Sequence, residues 1–482
     1  MKTEKHVTLV YVCPFKTWLL YPPLGIAFLA SSLRENSYPV SVVDTTFQPE
    51  EMIYDCIERH NSALVGFSVL QSNHLQSLAI AKNIRARFPN LPIIFGGPFP
   101  TMLPEEIMKH DEADFVLRGE GENAIIEIME YVQGERARTG IEGLCYKEKG
   151  GNVIVPPRTP TVDLDFIPPA AYDLLCMDSY LKVPMEMPIA GPGTTLSVTR
   201  GCYGNCIYCQ PISRKLFGRG VRRCSPERVM DDIQHLVNQY KVRSILFCDD
   251  EPLWKGEKWG YEVSGLLQKS NLRLNLTMNS RVDTVNEPLL RALKQAGLKY
   301  LIFGVESGSN TILKNLRKGY TSDKIAPAFH LCRKLGIVSR ANIMIGSPGE
   351  SWETINETVK MLSVARPDVV SISVTTAIPG TDLYENLKSR LSPDALQTDV
   401  FDRKHVISIT DNFFEIDIGA ATKTIFNLFV KMTLLDLCLR MPRKWPLLKM
   451  IYKREHFFWR VNRSLPFRDI AFHLGYIKRT FV

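Results

Sequence analysis

The sequence predicts an α/β protein in three successive parts: an N-terminal doubly wound Rossmann-like domain, a partial (β/α)6 barrel, and a helical C-terminal extension. Three observations lead there. Short β-branched runs alternate with helical patterns in two separate series, prolines gather between the series, and the alternation stops near Ser408, where basic and aromatic residues take over.

The first series has strand candidates at Val7–Val12, Val40–Asp44, Ala63–Leu70, Pro92–Gly96 and Asp114–Leu117. Helical patterns near Leu24–Asn36, Pro49–His60, His74–Phe88, Pro104–His110 and Gly121–Val132 follow them in turn. Five strand–helix units in about 130 residues make a parallel sheet, whose ligands sit at the carboxyl ends of the strands. Glycines fall at those ends, so residues 1–140 read as a ligand-binding domain. Over residues 141–193 the periodicity is lost and prolines cluster (Pro156, Pro157, Pro160, Pro168, Pro169), which reads as a linker draped over a surface.

The second series, residues 194–405, has strand candidates at Leu196–Arg200, Ser244–Cys248, Arg273–Asn279, Tyr300–Val305, Ser339–Ile345 and Val369–Ala377. Helices are expected at Ser225–Tyr240, Lys258–Ser270, Glu287–Ala296, Ser322–Leu335 and Ser351–Ala365. Six strands with these helices between them suit an open barrel that carries its chemistry at the strand C-terminal ends. Residues 406–482 form the extension.

Composition bounds the class. The chain has 482 residues, 45% hydrophobic and 23% charged, values of a soluble globular protein that exclude disorder and collagen. No apolar run approaches the roughly 18 residues of a membrane span, and Val7–Val12 is too short for a signal peptide, so the expected location is cytoplasmic. Eleven cysteines in such a chain are expected to be reduced, and clustered ones to be metal ligands. The net charge of +8 is concentrated in the last 62 residues, where thirteen Lys or Arg meet three acidic residues.

The sharpest chemical signal is Cys202, Cys206 and Cys209 in Thr-Arg-Gly-Cys-Tyr-Gly-Asn-Cys-Ile-Tyr-Cys-Gln, directly after a predicted strand. Three thiolates in one loop hold three irons of a 4Fe-4S cluster and leave the fourth open as a reaction site. Zinc completed by a distant thiol such as Cys224, or three structural cysteines, are the alternatives; structural zinc commonly uses paired cysteines, and no second pair follows.

This loop resembles the radical S-adenosylmethionine (radical SAM) superfamily, whose Cys-x3-Cys-x-aromatic-Cys motif is matched by Cys202, Cys206, Tyr208 and Cys209. Further segments fall in the family's order. Asp249, Asp250 and Glu251 look like its acidic motif for the SAM amino group. Arg281 matches the position that meets the SAM carboxylate or ribose, and Gly304 to Gly308, with Glu306 and Ser307, resembles another SAM-contacting segment. The resemblance implies that one electron from a 4Fe-4S cluster cleaves SAM to a 5′-deoxyadenosyl radical, chemistry that side chains cannot supply. It also implies a flavodoxin or ferredoxin as electron donor.

The N-terminal part resembles the cobalamin-binding domain that precedes the barrel in one radical SAM subfamily. The resemblance rests on Pro22 to Ala27, on Gly96, Gly97 and Pro98, and on Gly119, Glu120 and Gly121 within Arg-Gly-Glu-Gly-Glu. The Asp-x-His-x-x-Gly motif of many cobalamin proteins is absent, so the face below cobalt is expected near Ser68, Leu70 and Gln71. The implied activity is C-methylation of an unactivated carbon in a small molecule, with S-adenosylhomocysteine and 5′-deoxyadenosine both released. A radical cyclisation, rearrangement or oxidation on the same scaffold is the alternative, and a non-catalytic cobalamin-binding module is the alternative from another class. The basic, aromatic tail suits a helical cap on the barrel, a pocket for a hydrophobic or phosphorylated substrate, or peripheral contact with anionic lipid. No motif for nucleic acid accompanies its charge.

Overall fold

The computed structural model describes residues 5–13, 20–182, 191–209, 216–218, 220–253 and 256–390. The C-terminal extension, with its expected membrane or substrate contacts, lies outside the described residues.

The first domain runs β1 (Val7–Tyr11), α1 (Leu24–Glu35), β2 (Val40–Asp44), α2 (Glu51–His60), β3 (Leu64–Ser68), α3 (His74–Arg87), β4 (Ile93–Gly96), α4 (Pro98–Met102), α5 (Pro104–Met108), β5 (Phe115–Leu117) and α6 (Ala124–Val132). The sheet order is β2-β1-β3-β4-β5, all parallel. Period-2 alternation explains why helices cover both faces. Val7 and Leu9 of β1 pack with α1 and α6, while Val10 and Val12 join the opposite core with α2, α3 and α5. Strand order reverses between β1 and β3, and the loop after β3 opens at that switch point.

The supposed linker is a structural element in its own right. β6 (Leu144–Glu148) and β7 (Gly151–Val153) extend the first sheet as antiparallel strands. Beyond them, Leu164, Ile167, Ala171, Tyr172, Leu175, Met177 and Tyr180, the last two in α7 (Met177–Tyr180), are buried in a core continuous with both domains. The prolines therefore mark a wedge rather than a surface strap. It is pinned on one side by Ala171 N–H donating to Ala27 O at 3.1 Å and on the other by the Tyr172 hydroxyl donating to Thr195 O at 2.8 Å.

The barrel comprises β8 (Gly193–Leu196), the short β9 (Thr199–Arg200) and β10 (Arg222–Arg223), α8 (Pro226–Tyr240), β11 (Ser244–Phe247), α9 (Glu257–Lys269), β12 (Asn275–Ser280), α10 (Glu287–Gln295), β13 (Leu298–Glu306), α11 (Asn310–Asn315), α12 (Ile325–Leu335), β14 (Val338–Ile345), α13 (Trp352–Ala365), β15 (Val369–Val374) and α14 (Asp382–Leu387). Six parallel strands lie in the order β8-β11-β12-β13-β14-β15, an open barrel as expected. Leu276, Met278, Leu301, Phe303, Ala341 and Ile343 pack toward the helices, so Asn279, Ile302, Arg340 and Asn342 between them face the barrel interior. These interior residues are half-exposed, and three of the four put polar side chains on the interior of the barrel.

Candidate functional site

The first barrel strand ends earlier than its sequence pattern suggests. Asp249, just past β11, accepts the main-chain N–H groups of Val198 at 3.1 Å and Thr199 at 2.9 Å, and the Ser197 hydroxyl at 3.1 Å. These donors are lost to the parallel ladder, so β8 stops at Leu196 and the chain turns into β9, which pairs antiparallel with β10. Burial pushes the Asp249 carboxyl up to about 7 despite these hydrogen bonds. Asp249 thus steers the path of the cysteine loop.

Gly201 carries the turn into the loop with φ +94°, a conformation that side chains rarely adopt. Beyond it the thiols converge. A Cβ added to Gly204 would lie 3.3 Å from Cys202 Sγ, 3.8 Å from Cys206 Sγ and 3.9 Å from the Arg281 guanidinium. Arg281 is fixed by Asp283, with two contacts of 2.8 Å, by donation to Lys318 O at 2.7 Å, and by the Tyr320 ring 5.0 Å away. Ile207, between the second and third cysteines, is buried with Ile312, Leu316 and Leu383. Its N–H donates to Leu316 O, and its carbonyl accepts from Leu383 N–H. Cys209 is exposed at the end of the loop.

A second constellation was only half legible. The Tyr208 hydroxyl donates to Glu306 Oε1 at 3.0 Å, and Lys318 Nζ donates to the same oxygen at 3.0 Å and to the Tyr208 oxygen at 3.1 Å. Glu306 sits at φ +68°, beside a register shift that ends the β13–β14 ladder. Burial opposes the charge on Lys318, but Glu306 and Tyr208 more than offset it and hold the ammonium well above its ordinary pKa. The sequence reading missed Lys318; a basic residue beside Gly319, in the loop after the fourth barrel strand, was the available signal. Of the other expected SAM contacts, Asp250 is exposed and Glu251 is buried near the Ser280 and Thr284 hydroxyls at 3.4 and 3.2 Å. Ser307 is buried against the Thr358 hydroxyl at 3.1 Å.

In the first domain, Ser68, Leu70, Gln71, Gly96, Gly97 and Pro98 line the C-terminal ends of β3 and β4, all half-exposed. Among the described residues, buried Gln71 Oε1 has no hydrogen-bond partner, and a Cβ on Gly96 would meet nothing within 4 Å. An orphaned acceptor beside open backbone fits a polar cofactor edge. The second glycine group differs. A Cβ on Gly119 would reach Arg158 N at 2.9 Å, and one on Gly121 would reach Leu29 Cδ2 at 2.8 Å, so the chain itself fills these spaces. Both Glu120 carboxylate oxygens are engaged, by Arg200 at 3.3 Å, Arg222 at 2.6 Å and Thr161 N–H at 2.7 Å.

An open parallel barrel with a three-cysteine loop at its mouth, preceded by a doubly wound domain with a ligand crevice, is the arrangement of an iron–sulfur enzyme that carries a second ligand-binding domain. The radical SAM superfamily model matches residues 196–362 and the B12 binding domain model residues 18–129. An uncharacterized methyltransferase of Pyrococcus horikoshii is 32% identical over 370 residues, 76% of this chain and 78% of that one. The anaerobic magnesium-protoporphyrin IX monomethyl ester cyclase of Rubrivivax gelatinosus is 29% identical over 384 residues, 77% of this chain and 67% of the other. The fold is similar to that of the radical SAM methyltransferase TsrM from Kitasatospora setae, solved with cobalamin and a [4Fe-4S] cluster. Its TM-score is 0.67 at 20% identity, over 80% of this chain and 75% of that one. The chain belongs to the radical SAM superfamily, in the branch with an N-terminal B12-binding domain. It is an enzyme whose cofactors are a 4Fe-4S cluster, SAM and cobalamin. The converging Cys202 and Cys206 thiols fit the cluster, and the crevice at Gln71 and Gly96 fits the cobalamin.

Proposed function

We propose that the enzyme transfers a methyl group from SAM to an unactivated carbon of a small molecule held in the barrel interior. The observation that carries this reading is one chain's pairing of a cysteine loop beside Arg281 with a separate crevice holding an orphaned acceptor at Gln71. When bound, the cluster and cobalamin supply the electron for SAM cleavage and the methyl carrier.

The residues act by holding and orienting. Cys202, Cys206 and Cys209 would ligate the cluster. Arg281, locked by Asp283, presents a fixed guanidinium for a carboxylate beside it. Glu306, neutralised by Lys318, is a buried acceptor for an amino or hydroxyl group of SAM. Asn279, Arg340 and Asn342 face the barrel interior, and Arg340 Nε donates to Asn342 Oδ1 at 2.8 Å, giving the substrate a rigid polar wall. A flavodoxin or ferredoxin supplies electrons in this scheme, and the site of action is the cytoplasm. No described helix is long and apolar enough to cross a membrane.

The test is anaerobic reconstitution, then incubation with SAM and a low-potential reductant. Methyl transfer predicts both S-adenosylhomocysteine and 5′-deoxyadenosine. Release of 5′-deoxyadenosine alone would favour the radical cyclisation suggested by the Rubrivivax relative. Cys206→Ala should abolish 5′-deoxyadenosine formation and lower bound iron; undiminished cleavage would refute the assignment of the loop.

A further inference from the structure

The two domains meet through a buried ion network that neither cofactor explains. Glu120 and Glu122 follow β5 at the C-terminal edge of the first sheet, and each is 5% exposed. Arg200 and Arg222 are cross-strand partners in the β9–β10 ribbon. Arg200 pairs with Glu120 at 3.3 Å and with Glu122, and Arg222 pairs with Glu120 at 2.6 Å. The charges balance, two against two, and the side chains of both arginines are at most 17% exposed.

The surroundings fix the network at Glu120, Arg200 and Arg222. Thr161, just ahead of the wedge, donates its N–H to Glu120 and accepts from Arg222 through its carbonyl. Phe217 O accepts from Arg222 at 3.2 Å, and the Arg200 guanidinium lies 5.4 and 5.6 Å from the centroids of the Phe28 and Phe217 rings. A buried network of this kind contributes little net stability, because desolvation cancels most of the attraction. What it contributes is register, since its short contacts tolerate no slide of an ångström or more without stranding a charge.

Arg200 precedes Cys202 by two residues, and the crevice at Ser68 and Gly96 opens along the edge that carries Glu120. Resting on the proposed function, we infer that Glu120, Glu122, Arg200 and Arg222 are positioning residues that hold the cobalamin crevice at one separation and orientation from the cluster loop. Methyl transfer needs both cofactors to address one substrate carbon in turn, and a misplacement of 1 Å is enough to slow such chemistry a hundredfold. Glu120 therefore acts between the domains and not as a cobalamin ligand.

The test compares wild type with Glu120→Gln and with Glu120→Gln/Glu122→Gln. On cofactor-free protein, hydrogen exchange at residues 118–122 and 198–201 should rise at least tenfold. In the loaded protein, cobalamin content should be unchanged while the magnetic coupling between Co(II) cobalamin and the reduced cluster, read by electron paramagnetic resonance, weakens and broadens. Unchanged exchange and coupling would overturn the inference. So would loss of cobalamin with unchanged exchange, which would make Glu120 a cofactor ligand. If the double variant does not fold, Arg222→Lys, which keeps the charge and loses the fork, carries the same readouts. Should the wild type bind no cobalamin, the proposed function fails while exchange in the cofactor-free chain still decides whether the network holds the domains together.

Discussion

At the scale of single residues, the buried Tyr208–Glu306–Lys318 group is the most consequential. Removing one partner of a buried pair strands the other charge and typically costs about 3–5 kcal/mol. Lys318→Met should destabilise the cofactor-free protein by about that much, and adding Glu306→Gln should recover a large part of it. A double-mutant cycle by denaturant titration measures the coupling, and additive losses would show that the two act separately. Asp249 sets a pH dependence. Its folded pKa of about 7 lies above the 3.8 of an unfolded aspartate, so the folded chain holds the extra proton between about pH 4 and 7. The contribution of this group therefore favours folding least above pH 7 and improves as the pH falls toward 4. Asp249→Asn removes it, so wild type should lose stability relative to the variant between pH 5 and 7.5, by at most about 1.4 kcal/mol per pH unit. The three cysteines and Arg281 stood out by spacing and order because the loop is contiguous and Arg281 directly follows β12. Lys318 carried only the weak signal of a basic residue beside Gly319, because its role comes from a bulge at Glu306 that brings residues 208, 306 and 318 together.

At the scale of elements, the cysteine loop is held by more than metal ligands. Ile207 inserts among Ile312, Leu316 and Leu383, which lie in or beside α11 and α14, so the loops after β13 and β15 clamp it from the barrel rim. Truncating a buried isoleucine to alanine costs about 2–5 kcal/mol. Ile207→Ala should therefore lower the iron retained after reconstitution, although all three cysteines remain; iron and sulfide analysis against Ile207→Val checks it, and equal loading in the two variants would show that the anchor is dispensable. The long helices were legible nearly to their ends because their apolar periodicity is long, whereas the short α4, α7, α11 and α14 carry too few turns to show one. The antiparallel pair β6 and β7 was not. Three residues of β7 beginning at Gly151 carry no alternation to read, and the neighbouring prolines point to an irregular chain. Strand β8 was misplaced for a different reason, the capture of its next N–H groups by Asp249, a tertiary contact that no local pattern encodes.

At the scale of the whole molecule, the two domains do not behave as beads on a linker. The wedge from Leu164 to Tyr180 belongs to a hydrophobic core that includes α1 and α6 of the first domain and α8 of the barrel, so neither domain can expose its share of that core without disturbing the other. Tyr172 is the pivot: it is 4% exposed, its hydroxyl reaches Thr195 at the start of the barrel, and its neighbour Ala171 is tied to α1. The cofactor-free protein should accordingly unfold in one calorimetric transition over the described domains, with equal calorimetric and van't Hoff enthalpies. Tyr172→Phe removes one hydrogen bond, worth about 1 kcal/mol, and should lower the midpoint while keeping the single transition. Tyr172→Ala opens a cavity where the domains meet, at about 3–5 kcal/mol, and should separate the transition into two. A single, merely cooler transition for Tyr172→Ala would mean that the ion network of Arg200, Arg222, Glu120 and Glu122 couples the domains without help from the wedge. Combining Tyr172→Ala with Glu120→Gln would then be the variant that splits it.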